Sequence, residues 1–339
     1  MKRLDLLLRP LAPLIRPLYG GLGLVLMFHR LIPDGEAPRL PALETTPARL
    51  EAILAWFERR GYAFWSLADL CRFLRGETRP DRPFVLFTFD DGYRDNLTLA
   101  YPVFQRRGVP FTIHVTTSLP DRTAILWWYL LEDLLERGER IELETNGGVR
   151  RFETDSPAAA AQSRAALRSL LKYARPHEFA RLADSLFRAR GLDPFAPTEA
   201  LALTWDEIRR LDADPLVTIG AHTINHRVLS RLDEAEARAE IAGAKHILET
   251  RLGHPVTHFA YPFGSRREAG QREARLAAEC GFETALTTRY GNLFHAHAAA
   301  PLALPRYDMG HFPDLRYLDL IASGALAMRL NRLRRVMTL

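Results

Sequence analysis

Short apolar runs alternate with amphipathic segments along most of the chain. Runs rich in β-branched and aromatic residues read as strands. They predict strands over Leu22–Phe28, Ala63–Trp65, Phe84–Phe89, Phe111–Thr116, Val217–Gly220, His258–Ala260 and Ala285–Thr287. Helical periodicity fills the gaps, over Pro47–Arg60, Leu67–Arg75, Asn96–Arg107, Glu234–Arg251 and Arg267–Cys280. Thr46 ahead of Pro47 and Gly61 after Arg60 supply a start and a stop for the first of these helices. The rhythm predicts an α/β fold, a parallel sheet with helices outside, open or closed into a barrel. It breaks between about residues 127 and 200. That stretch reads as a helix, a hairpin over Ile141–Phe152 turning at Asn146-Gly147-Gly148, and Ala-rich helices. It is predicted to be a helical insertion that either shapes a substrate groove or forms a plain subdomain.

The strand Phe84–Phe89 ends in two adjacent carboxylates, Asp90 and Asp91, followed by Gly92. Neighbouring carboxylates repel unless a cation lies between them or one is protonated. A divalent metal bound by one of them, with the other left as a base, resolves that cost. The spacing His222-x-x-x-His226, after another apolar strand, supplies the missing ligands, on one side of an expected helical turn. Two more strand ends point to the same rim of a parallel sheet. One is Leu24–Phe28, which runs into His29. The other is His258–Ala260, which runs into Tyr261-Pro262-Phe263-Gly264. A lone histidine at a strand end is ordinarily structural, but beside a metal site His29 becomes a catalytic candidate. Thr223 after the first histidine, where the metallopeptidase signature has Glu, excludes that signature.

Composition adds exclusions. Hydrophobic residues make up 47% of the 339, ample for a sizeable core. The net charge is +5, and only Lys2, Lys172 and Lys245 among 46 basic residues are lysine. No zinc finger, RNP motif or basic block accompanies this charge, so nucleic acid is excluded as the expected partner. Cys71 and Cys280 lack ligand or disulfide spacing and read as core thiols. Arg9, Arg16 and three prolines interrupt the apolar stretches of residues 1–23, which argues against a cleaved signal peptide. The expected location is cytoplasmic, with membrane association as an open addition. Residues 311–339 are expected to form a C-terminal basic amphipathic helix, read either as a peripheral membrane contact or as a helix packed on the domain.

The motifs resemble those of the polysaccharide deacetylases of carbohydrate esterase family 4, over roughly residues 20–310. Thr88-Phe89-Asp90-Asp91-Gly92 matches the family's first motif unaltered, and His222-Thr223-Ile224-Asn225-His226 its second. The resemblance implies a distorted (β/α) barrel in which Asp90 is the general base and Asp91, His222 and His226 hold one divalent ion. Zinc is the expected ion, with cobalt, nickel and manganese also compatible. The third motif departs: Ala260-Tyr261-Pro262-Phe263 stands where the family has Arg-x-Pro-Tyr. The orienting arginine is therefore missing at that position, and Arg306 is a candidate replacement, with a surface salt bridge as the plain alternative. The usual C-terminal Leu-x-His acid has no match either. A subgroup similar to biofilm poly-N-acetylglucosamine deacetylases carries its acid near the N-terminus, which points to His29.

The implied activity is hydrolysis of an N-acetyl group on an acetamido sugar, in an oligo- or polysaccharide or a lipid-linked precursor. Phe263 is the candidate oxyanion donor through its backbone N–H. Tyr93, Tyr261 and Phe263, with Trp127 and Trp128, are the candidate sugar-stacking rings. Two rival readings stay open. One is a non-catalytic glycan-binding module on a decayed esterase scaffold, and the other is an amidohydrolase acting on a non-sugar amide.

Overall fold

The computed structural model describes residues 3–145 and 148–338. Eight parallel strands form the main sheet: β1 (Gly23–Phe28), β2 (Ala63–Phe64), β3 (Phe84–Asp91), β4 (Phe111–Val115), β5 (Val217–Ala221), β6 (His258–Ala260), β7 (Thr284–Leu286) and β8 (Tyr307–Asp308). Their order is β7-β6-β5-β4-β3-β1-β8, with β2 beside the start of β3. Seven of the eight follow the sequence expectation to within a residue or two. β3 runs two residues further than expected, through both aspartates. β8 was not expected; at two residues it is too short to carry a pattern.

β8 matters because of where its approach leads. Leu304 bridges to Leu286 of β7, and the next residues pair with β1 through Leu26↔Tyr307 and Met27↔Asp308. The segment 304–308 thus links the two edges of the curled sheet. Strand alternation sorts the side chains. Val85, Phe87 and Phe89 of β3 join the large apolar cluster packed under the helices. Phe84 and Leu86 join a second cluster with Val25, Ala260, Leu286 and Leu304, drawn from strands across the sheet. Further along β3 the same inner parity carries Thr88 and Asp90, both fully buried. The interior is therefore apolar at the amino ends of the strands and polar at the carboxyl ends.

The helices are capped as their sequences suggest. Thr46 accepts from the Arg49 N–H at the start of Pro47–Arg59, and Asp233 and Glu236 form a reciprocal capping box at the start of Glu234–Leu252. The helix expected over Asn96–Arg107 begins as one wide π-type turn, Asn96–Ala100, before Tyr101–Arg107 continues as α-helix.

Residues 121–202 form a compact unit of their own, and the rest of the described chain forms the other. The smaller unit contains four helices (Trp127–Glu136, Pro157–Tyr173, Pro176–Leu186 and Ala196–Leu201) and the hairpin Ile141–Thr145 with Gly148–Phe152. The turn residues Asn146 and Gly147 lie outside the described residues. Trp127 and Trp128 are buried edge-to-face at 5.3 Å. They belong to that unit's core, so they do not offer a stacking surface.

The C-terminal expectation needs correction. Residues 311–339 do not form one amphipathic helix. Two short helices, Tyr317–Ala322 and Ala325–Leu330, are broken at Gly324, and eight of their twelve residues are buried in the large apolar cluster. They pack with the N-terminal segment, Arg3–Leu11 and Ala12–Tyr19, so the main unit extends beyond the 20–310 boundary at both ends. Among the described residues, no helix is long and apolar enough to cross a membrane.

Gly324 makes that packing possible. Its φ is +73°, and a Cβ there would lie 2.0 Å from the Tyr19 carbonyl oxygen. Gly324→Ala should therefore lower stability by about 2–4 kcal/mol, combining left-handed strain with overpacking. An unchanged urea midpoint would contradict the close apposition of the two chain ends.

Candidate active site

Asp90 sits at an inner position of β3, in register with His114 of β4, which is in register with Gly220 of β5. This lateral row sets the floor of the site. His114 is fully buried, with Nδ1 3.5 Å from Asp90 Oδ1. Gly220 makes room for it: a Cβ there would lie 2.6 Å from the His114 ring.

From the closing segment Arg306 enters the same interior, fully buried. Its guanidinium grips Asp90 through two parallel bonds, Nη1 to Oδ1 at 2.7 Å and Nη2 to Oδ2 at 2.8 Å. Two further N–H groups go to the Thr287 carbonyl at 3.0 Å and to Thr88 Oγ1 at 3.2 Å. A planar fork matched to a carboxylate is the geometry in which arginine is strongest. Burial by itself would raise the pKa of Asp90. The Arg306 charge, helped by His222 and His114, instead holds it well below the usual carboxylate range. Asp90 is therefore a buried carboxylate that stays ionised.

Asp91 meets different surroundings. At φ +77° it leaves the strand alternation that would send its side chain to the face opposite Asp90. Its Oδ1 is buried and has no hydrogen-bond partner. Burial, with the Asp90 charge adding to it, pushes its pKa up to about 6 against the pull of His29. Two histidines face that oxygen, with Nε2 of His222 at 3.6 Å and Nε2 of His226 at 3.3 Å. His222 Nδ1 donates to the Ala260 carbonyl at 2.7 Å, which leaves the Nε2 lone pair directed at the cluster. Burial pushes the His222 pKa down to about 4, so the ring is neutral, as a ligand must be. The three ligand atoms lie within 4.8 Å of one another. Atoms bonded at about 2.0–2.1 Å to one tetrahedral ion are about 3.3 Å apart, so this donor set fits a divalent metal.

The His-x-x-x-His segment is not the helical turn its spacing suggested. Residues 222–226 form a loop in which Thr223 (φ +63°) and His226 (φ +53°) are left-handed. Buried Glu240, on the helix Glu234–Leu252, holds that shape by accepting from the Ile224 and Asn225 N–H groups at 3.0 and 2.8 Å and from Asn225 Nδ2 at 2.7 Å. Phe263 also has positive φ, +61°, and its ring meets the His226 ring edge-on at 4.8 Å. Strained non-glycine backbone concentrated in one place is a common mark of a functional site.

His29 follows β1 on the same rim, near Asp91. Its Nδ1 is buried with no hydrogen-bond partner. Residues just beyond the aspartates fix its backbone. Asn96 Nδ2 donates to the His29 carbonyl at 2.9 Å, and Asp95 accepts from the Leu31 N–H at 2.7 Å and from Arg30 Nε at 3.0 Å.

Two candidate residues do not fit their expected role. Tyr261 is fully buried and shares the face of Phe259, against the helices, with its hydroxyl donating to the Leu302 carbonyl at 2.9 Å. Strand parity turns it away from the site. Tyr93 is fully buried as well, and its hydroxyl hydrogen-bonds Asp91. It braces a candidate ligand and has no ring face to offer a sugar. Sequence reasoning missed His114 and Glu240. The parity of β4 relative to Asp90 would have exposed the first, whereas nothing local marks the second.

A family model for polysaccharide deacetylases matches residues 77–172 and 182–285, more than half of the chain. The chain belongs to the polysaccharide deacetylase family. A putative polysaccharide deacetylase of Bacillus subtilis (strain 168), YxkH, is 31% identical over 121 residues, which span 36% of this chain and 41% of that protein. Among solved structures, IcaB from Ammonifex degensii superposes with a TM-score of 0.56 at 17% identity, covering 91% of this chain and 98% of that one. The Streptococcus pyogenes deacetylase PplD, in complex with acetate, gives 0.55 at 19%, covering 84% and 90%. The BpsB deacetylase domain from Bordetella bronchiseptica gives 0.52 at 19%, covering 85% and 96%. At these identities the structural likenesses are likenesses of fold, the half-barrel of parallel strands common to these deacetylases.

Removing one partner of a buried ion pair strands the other. Arg306→Met should cost about 3–5 kcal/mol at neutral pH. A double variant, Asp90→Leu with Arg306→Met, should recover much of that loss in denaturant titrations. The sign of the pH dependence follows from the depressed pKa of Asp90. The pair's contribution is complete above the ordinary carboxylate pKa and is lost as pH falls through the lower, folded-state value.

Proposed function

We propose that the chain hydrolyses the N-acetyl group of an acetamido sugar of the N-acetylglucosamine type, in an oligo- or polysaccharide or a lipid-linked precursor, with one divalent metal ion. The observation that carries this reading is a single rim holding two adjacent carboxylates in opposite surroundings. Asp90 is kept ionised by a buried arginine, and Asp91 is turned toward two histidines.

Asp91, His222 and His226 would hold the ion, zinc first by donor type, with cobalt, nickel and manganese compatible. Such an ion supplies Lewis acidity, lowering the pKa of water and polarising the acyl carbonyl. Asp90 accepts the proton of the attacking water, and Arg306 keeps its carboxylate charged and in one orientation. Phe263, through its backbone N–H, is the donor assigned to the developing oxyanion. One such donor commonly contributes about 3 kcal/mol. His29, as imidazolium, gives a proton to the departing amine nitrogen. The C–N bond breaks, and acetate and a free amino sugar leave.

The rival reading of a decayed, non-catalytic module drew its support from the missing third-motif arginine. Arg306 supplies a guanidinium to Asp90 from another segment, so that loss does not leave the base without its partner.

The test is acetate release from N-acetylglucosamine oligomers. Activity should vanish with a chelator and return with zinc. Asp90→Asn should abolish turnover while the protein still binds the metal, and His226→Ala should lose both. His29→Ala should lower kcat by about 10²–10⁴ with little change in metal affinity. Unaltered kcat in that variant would remove His29 from the mechanism. Arg306→Lys, which keeps the charge and loses the fork, should move the acidic limb of the pH–rate profile upward as Asp90 becomes easier to protonate.

A further inference from the structure

Seven large hydrophobic side chains are exposed among the described residues, and six of them lie in two segments at the chain ends. Leu7 (70% exposed), Leu11 (47%), Leu14 (76%) and Leu18 (60%) come from the N-terminal segment, and Leu330 (38%) and Leu333 (67%) from the C-terminal one. The seventh, Val149, stands apart in the smaller unit. The helix Ala12–Tyr19 explains the first group. Its inner side is settled, since Ala12 is buried and Ile15 packs on the core, as Leu6 and Leu8 do just before it. Leu11, Leu14 and Leu18 recur at a helical spacing and are left uncovered. A helix apolar on both sides is normally buried on both sides. Here one side faces outward.

The two segments form one patch. The Tyr19 hydroxyl donates to the Leu333 carbonyl at 3.1 Å, Arg9 pairs with Asp319 at 2.6 Å, and the Tyr19 carbonyl lies against Gly324. The patch is also basic. Arg16, Arg329, Arg332 and Arg334 are exposed on these two segments, with Arg335 next along the chain over the Phe294 ring; Asp319 offsets Arg9, and residues 320–339 contain no acidic residue.

From these observations we infer that this face, built from the N-terminal leucines and the arginines around them, docks the protein on an anionic lipid bilayer. Leucine side chains enter the boundary between headgroups and acyl chains, and the arginines meet the phosphates. The charge selects this occupant over a second copy of the chain. A two-fold dimer through this face would bring the same arginines of both copies together. An anionic surface complements them. The site differs from the C-terminal helix expected from the sequence, whose apolar side chains are mostly buried.

The test uses the full chain in co-sedimentation with phosphatidylcholine vesicles, with and without phosphatidylglycerol. Binding should require the anionic lipid and weaken with salt. Leu14→Glu with Leu18→Glu should lower the partition coefficient about tenfold or more, at unchanged circular dichroism and unchanged turnover of a soluble oligomer. Arg332→Gln with Arg334→Gln and Arg335→Gln should lower it several-fold on anionic vesicles. Failure of the wild-type chain to bind anionic vesicles would overturn the inference, as would binding that ignores both sets of substitutions. A wild-type dimer in solution that the leucine substitutions dissociate would assign the face to a second copy instead.

Discussion

A guanidinium buried against a carboxylate organises this molecule. Arg306 and Asp90 come from opposite ends of the fold's logic, one from the segment that links the sheet edges and the other from a central strand. Burying either alone would cost several kcal/mol. Together, with Thr88 and the Thr287 carbonyl taking two further donors, they form a buried hydrogen-bonded network. The pair also creates the chemical asymmetry of the site. Two carboxylates one residue apart would ordinarily share a fate, each raising the pKa of the other. With all of the fork spent on Asp90, Asp91 is left buried, poorly stabilised as an anion, and oriented toward two imidazoles. One arginine thus keeps the first aspartate charged and leaves the second without a matching cation.

The backbone enforces the same division. Parity places Asp90 inside the sheet, and only a departure from strand geometry at Asp91 directs the second carboxylate to the rim. Comparable departures at Thr223, His226 and Phe263 aim the other side chains around that point. Left-handed backbone at non-glycine residues has a cost and persists where surroundings compel it. Glu240 shows how, by accepting three hydrogen bonds from the histidine loop from within a well-capped helix. The site is therefore prepared by the fold itself, with the strain of the histidine loop held by a carboxylate on a neighbouring helix.

Much of this was legible in the sequence. The apolar runs Phe84–Phe89 and Phe111–Thr116 locate strands because buried parallel strands need apolar side chains on both faces. The Asp-Asp and His-x-x-x-His signatures locate the candidate metal donors because so few residue types can serve. What was not legible depends on contacts between distant segments. β8 is too short to have a pattern, yet it positions the approach that delivers Arg306. Tyr261 and Tyr93 stand inside motif-like stretches, but parity and burial decide their roles, and these follow from strand register. The C-terminal arginines suggested an amphipathic helix, whereas Gly324 breaks it and the core takes up most of its apolar side chains.

His114 shows what register adds to motif reading. Its neighbours in sequence, Ile113 and Val115, are ordinary strand residues that pack under the helices. Only lateral pairing reveals that it stands beside Asp90 on one side and needs a glycine, Gly220, on the other. A neutral imidazole in that row is a buried polar group set against an ion pair. A hydrocarbon of similar size would fill the same space without the cost of burying ring nitrogens. Its presence therefore argues for work at Asp90. Its Nδ1 stands 3.5 Å from the Oδ1 that the arginine fork already holds, which leaves that carboxylate little room to turn.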